Sequence, residues 1–199
     1  RSRDYLGIAI IVGVGLFFAL GNTLANIAYA GGSDPVSLST ARFIFPAIVL
    51  AAILALGGKP PTLPRRDGLV TLALGIVTAV YTLALLSAIE ILPVALAVLI
   101  FFLFPILTSL ILAVMGWERL SVTTVAAGVL AFAGLALVLG VSRQALSFEG
   151  IIYSGIAALG LAIVSAVSSR VIRSGDPRPV TLYILTMASA VAVVIVLFR

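Results

Sequence analysis

Histidine and cysteine are both absent from the 199 residues. Without them this chain forms no disulfide and offers no Cys or His zinc ligand, no Cys nucleophile and no Ser-His relay. Charge is scarce as well. Charged residues make up 10% of the chain and hydrophobic ones 62%, whereas a soluble domain carries about 25% and 45–50%. That composition is a membrane protein's. The acids are not paired inside apolar runs: Asp4, Asp34, Asp67 and Asp176 all fall in flanks or loops. No acid pair is therefore available for intramembrane catalysis, and the chain is expected to be neither an enzyme nor a binder of metal or cofactor. The net charge of +5 is scattered over short loops, not gathered in a basic stripe with aromatics. That distribution argues against nucleic acid as a partner. The first apolar run exceeds a signal-peptide core of about 7–15 residues.

About 20 apolar residues cross a bilayer as a helix. Seven such runs are present, near 5–30, 36–57, 68–89, 93–116, 121–142, 150–172 and 179–198. Turn-forming segments divide them, among them "GGSDP" (31–35), "GGKPPTLPRRD" (57–67), "GWERLS" (116–121) and "RSGDPRP" (173–179). The basic residues then alternate in sidedness. Arg1, Arg3, Lys59, Arg65, Arg66, Arg119, Arg170, Arg173 and Arg178 fall on one side, while only Arg143 and Arg199 fall on the other. Because cytoplasmic loops carry the excess of Lys and Arg, the N-terminus is expected in the cytoplasm; the membrane expected for the transport reading below is the inner (plasma) membrane. An all-α, polytopic helix bundle is the expected fold.

The first two runs and the last two resemble each other. "GIAIIVGVGLFFALGNTLANIAYAGGSDPVSL" starts at Gly7, and "GIIYSGIAALGLAIVSAVSSRVIRSGDPRPVTL" starts at Gly150, an offset of 143 with one extra residue at the turn. Five spans separate the two starts, so the second copy would be inserted upside down. Inverted repeats are a transporter signature, since two half-units exchanging conformations give alternating access. The stretches "ALGN" (19–22), "TARF" (40–43), "FPILTSLILAVMGWERLS" (104–121) and "AAGVLAFAGLALVLG" (126–140) carry a further likeness. In their order and spacing the chain resembles the EamA family of the drug/metabolite transporter superfamily. The resemblance implies ten spans, five plus five, with both ends cytoplasmic. Residues 1–142 would then be a first five-helix repeat, and 143–199 the two opening helices of a second. The start at Arg1 and the stop at Arg199 lead us to expect a gene that continues for about 80–100 residues holding three more spans. This chain alone is then expected to insert without saturable transport.

Five residues are candidates for substrate binding. Arg42 lies about seven residues into the second span, so roughly 10 Å deep, where an arginine costs roughly 2.5–3.5 kcal/mol by insertion scales. Pro46, four residues on, has no N–H, which leaves the carbonyl of residue 42 without its helical partner. Arg42 is expected to line a cavity and hold an anionic group such as a carboxylate; the alternative is a side chain that snorkels outward. Asn22 and Asn26 are four apart and share a helix face, with Gly15 and Ala19 extending it; interhelical contact is the competing role. Tyr81 and Thr108 could line a pore with Thr78, Thr82 and Ser109, although hydroxyls on membrane helices commonly bond their own backbone. Pro105 frees the carbonyl of Phe101, so a kink is expected in the fourth span as in the second. Ser154, Ala158, Ala162 and Ala166 form a small-residue ladder for close packing, and Gly128 and Gly134 read the same way. Glu118 and Arg119 are expected to be structural.

The expected function is therefore transport, with export of a small metabolite, amino acid-like or another small polar solute, by alternating access. A non-transporting membrane subunit or scaffold is the alternative. The expected partners are a small-molecule substrate and the lipid bilayer.

Overall fold

The computed structural model describes residues 2–57, 62–118, 122–139, 147–172 and 176–198. Those residues fold into helices α1 (Ser2–Ala30), α2 (Pro35–Leu56), α3 (Arg65–Ile91), α4 (Val94–Phe101), α5 (Phe104–Val114), α6 (Val122–Leu139), α7 (Phe148–Ile172) and α8 (Pro177–Leu197). No strand occurs among the described residues. Among the described residues, six stretches are long and apolar enough to cross a membrane, with α4 and α5 together making one, Val94–Val114. The run at 121–142 holds α6, of 18 residues.

The helix ends follow from local chemistry. Gly32 ends α1 at φ 88, a left-handed conformation that costs glycine little, and the Ser33 N–H reaches back to the Ala28 carbonyl at 3.0 Å. Gly116 ends α5 in the same way at φ 66, with the Trp117 N–H on the Leu112 carbonyl at 2.8 Å. Both are glycine-terminated caps of the Schellman kind. The Asp-Pro pairs start helices. The Asp34 carboxylate accepts from the Ser37 N–H at 2.8 Å and the Asp176 carboxylate from the Arg178 N–H at 3.0 Å. In each case the following proline occupies the first helical position, where its missing N–H costs nothing. The two segments likened by sequence thus share one capping device.

Helix α3 is the axis of the bundle, packing on α7, α8, α2, α1 and α4. Glycines set its closest approaches. A Cβ on Gly160 of α7 would fall 2.5 Å from the Tyr81 Cβ, and one on Gly150 would collide with Leu92. Going up α3 from Tyr81 to Leu92 therefore means going down α7, so the two are antiparallel. A Cβ on Gly68 would meet Tyr183 of α8 at 3.7 Å, and one on Gly75 would meet Met187 at 2.5 Å; α3 and α8 are parallel. Those directions are the alternation expected of consecutive spans. The small-residue ladder of α7 packs as expected, with Ser154, Ala158, Ala162 and Ala166 all at 0% exposure. Gly128 likewise admits Ile106 of α5, 2.9 Å from where a Cβ would be. Gly134 departs from the expectation: it is exposed with nothing within 4 Å, and that side of α6 has no packed neighbour among the described residues. At the end of α5, the Arg170 guanidinium of α7 stacks 4.7 Å from the Trp117 ring centroid, a cation–π contact between the two helix ends.

The two prolines behave differently. Pro105 coincides with a break between α4 and α5: the Phe102 N–H still bonds the Val98 carbonyl, Leu103 turns back to Ile100, and Ile106 and Leu107 start anew on Leu103. Pro46 sits inside an uninterrupted α2, so the kink expected in the second span is not a break. Their neighbours differ as well. The α4–α5 turn is packed with rings: Phe18 stacks on Phe101 at 5.8 Å, Tyr81 lies 6.5 Å from Phe101, and Phe104 is 5.7 Å from Phe101. No aromatic pair of that kind surrounds Pro46 among the described residues.

Candidate functional site

The second span carries its arginine onto the first. Arg42 is half-buried and donates from Nη1 to Asn22 Oδ1 at 3.2 Å and from Nη2 to the Gly21 carbonyl. The guanidinium passes close over Gly21, where a Cβ would lie 3.4 Å from Nη2, an ordinary van der Waals contact. Asn22 is only 1% exposed. Its oxygen is engaged by Arg42, and its Nδ2 has no hydrogen-bond partner.

Asn22 also lines a cleft of about 250 Å³ between α1 and the α4 region. Gly15, Phe18, Ala19, Asn22 and Thr23 form one wall, and Val94, Ala95, Val98 and Phe102 the other. The positions 15, 18, 19, 22 and 23 share one face of α1, as 3.6 residues per turn require. The walls are apolar apart from Asn22 and Thr23, and the Thr23 hydroxyl already donates to the Ala19 carbonyl at 3.0 Å. Above the site, the Tyr29 hydroxyl donates to the Leu86 carbonyl at 3.2 Å, which ties α1 to the central α3.

The sequence-derived candidates separate here. Asn22 is on the cleft and Arg42 stands behind it, in contact with Asn22 but not among the lining residues. Asn26 is exposed and is not on the lining, so the face it was expected to share with Asn22 divides at this point. Tyr81 lies on the α3–α7 contact, against Gly160 and Phe101. Thr108 donates its hydroxyl to the Phe104 carbonyl at 2.7 Å, and Thr78 and Ser109 bond their own helices in the same manner. Arg119 is outside the described residues. Two features had not been singled out from the sequence: the ring cluster at the α4–α5 break, whose Phe18 and Phe102 line the cleft, and the Asn22–Arg42 pairing. The run "FFLFP" at 101–105 is the signal that could have found the first.

Fold and site together define a multi-pass membrane protein with a small-molecule-sized cleft beside a supported intramembrane arginine. The model of the EamA-like transporter family matches residues 5–140, and the chain belongs to that family. No curated protein matches the sequence. A solved crystal structure of a protein is similar, at 24% identity and a TM-score of 0.68, covering 90% of this chain. At that identity the likeness concerns the fold alone. This chain covers 63% of the length of that structure.

Proposed function

We propose that the protein transports a small metabolite across the inner (plasma) membrane by alternating access, with its N-terminus cytoplasmic and export as its direction. The observation that carries this reading is Asn22: a buried amide, held by a half-buried arginine, on the wall of a cleft in a membrane bundle. A charge held at depth for packing alone is an expensive device, whereas polar groups inside membrane proteins commonly mark a solute path. The shared Asp-Pro caps of α2 and α8 support an inverted repeat, which alternating access uses. The family resemblance supports the substrate being a metabolite or drug.

Flux tests this directly. Everted vesicles from cells expressing the gene that carries this chain should accumulate at least one of a panel of radiolabelled amino acids, nucleosides, sugars and neutral ketones, amides and esters saturably, above vesicles without it. Absence of saturable uptake for the whole panel, with the protein inserted, would favour the membrane-scaffold alternative. Orientation has its own measurement. Single cysteines at the exposed positions Thr62 and Arg178 should react with a membrane-impermeant thiol reagent from the cytoplasmic side only, and one at the exposed Ser33 from outside only. Labelling of all three from one side would refute the topology and the inverted repeat with it.

A further inference from the structure

We propose that the α1–α4 cleft receives an apolar small molecule bearing one hydrogen-bond acceptor, taken by Asn22 Nδ2, and that Arg42 is the positioning residue that keeps this donor turned toward it. The proposal deepens the transport reading and rests on it for the cleft being a solute site.

An amide can present either its oxygen or its nitrogen, but a guanidinium has donors only. With Arg42 Nη1 on Asn22 Oδ1 at 3.2 Å, the oxygen is committed and Nδ2 is the arm left over. That nitrogen is buried and without a partner, an expensive state for a donor unless a ligand completes it. The rest of the cleft narrows the ligand's chemistry. Thr23 spends its hydroxyl proton on Ala19, the remaining lining is apolar, and Arg42 does not reach the wall. A site with one donor and no charge fits a ketone, amide or ester on an apolar body. A polyol would leave its hydroxyls unpaired there, and a free anion would lack a cation in contact. Nδ2 is covered in this structure, so a ligand reaches it as α1 parts from α4. Those two helices touch at few positions, and Phe102, at the break, is 39% exposed.

The test uses two probes of matched shape, 4-methylacetophenone and 4-ethyltoluene, which differ in the carbonyl acceptor. Saturable binding to the full chain in lipid nanodiscs is read against empty nanodiscs, which removes simple partitioning. The ketone should bind roughly three- to tenfold more tightly, the range of one net hydrogen bond. Asn22→Asp keeps the shape and strengthens the contact to Arg42 but has no donor, so the preference should vanish. Arg42→Gln frees the amide to turn and should reduce the preference; Arg42→Lys, whose ammonium still donates to Oδ1, should restore it. A merely structural arginine would not change the ratio between the probes. Val98→Phe fills the cleft from the α4 side without altering Asn22 and should abolish saturable binding of both. Equal or absent binding of the two probes to the wild type, a preference that survives Asn22→Asp, or binding that survives Val98→Phe would each overturn the proposal. Solute flux with no probe preference would leave transport standing and remove this inference. Probe preference without flux would do the reverse.

Discussion

Arg42→Ala is expected to abolish flux while leaving the protein folded and inserted. Two opposing terms decide the stability side. Loss of the guanidinium leaves Asn22 Oδ1, in a residue 1% exposed, without its donor, and a buried unmade hydrogen bond costs roughly 1–3 kcal/mol. Removing an arginine from membrane depth returns roughly 2.5–3.5 kcal/mol on insertion scales. The balance runs from a loss of about 0.5 to a gain of about 2.5 kcal/mol, so the melting temperature in detergent should hold or rise slightly. Flux should fall at least tenfold (~1.4 kcal/mol or more in the barrier), because the Asn22 amide is no longer held. Arg42→Lys should recover part of it: an ammonium can reach one acceptor but cannot serve Asn22 and the Gly21 carbonyl with the planar fork that does so here. Paired measurements of flux and melting temperature on both variants check this. Normal flux in Arg42→Ala would make the arginine an interhelical tie and nothing more.

That expectation differs in mechanism from the one the sequence suggests, and the reason is physical. Composition and hydropathy make the spans legible, because bilayer thickness acts on each run separately. Caps are legible for the same reason: Asp34-Pro35 and Asp176-Pro177 start helices through contacts within four residues. What a linear reading leaves open is the partner. Arg42 is visible as a costly charge, but its acceptor lies 20 residues earlier on another helix. With no partner in view, a substrate anion is the natural complement; the structure adds Asn22 and the Gly21 carbonyl as acceptors. Asn26 illustrates the same gap. Helical spacing puts it with Asn22, yet only tertiary packing decides that Asn22 is covered and Asn26 exposed. The prolines make the point for the backbone. Each removes one hydrogen bond, and the aromatic packing around Phe101 accompanies a break at Pro105 that has no counterpart at Pro46.

Glycines give the second large effect, and position in the packing, not residue type, sorts them. Gly75→Leu should lower the melting temperature strongly, since even its Cβ would lie 2.5 Å from the Met187 Cβ and 2.8 Å from the Ile184 carbonyl oxygen. A side-chain clash can be relieved by a rotamer change; a clash with a backbone carbonyl cannot, so α3 and α8 must separate. Overpacking of this kind costs about 1–3 kcal/mol, occasionally more, and leucine's bulk belongs at the upper end. Its better helix propensity returns less than about 1 kcal/mol. For a chain of this size the net loss corresponds to a fall of roughly 4–8 °C. Gly160→Leu should do the same on the other side of α3, where a Cβ would lie 2.5 Å from the Tyr81 Cβ. Gly134→Leu supplies the contrast: with nothing within 4 Å, only the propensity gain operates, and the melting temperature should hold or rise slightly. The central helix is then the fixed frame, α7 and α8 being pressed against it at glycines, while α1 rests on it by the Tyr29–Leu86 bond and thinner packing. Thermal unfolding of the three variants in the same detergent checks the argument. Equal melting temperatures for Gly75→Leu and Gly134→Leu would mean that the α3–α8 contact is not the close one on which this frame depends.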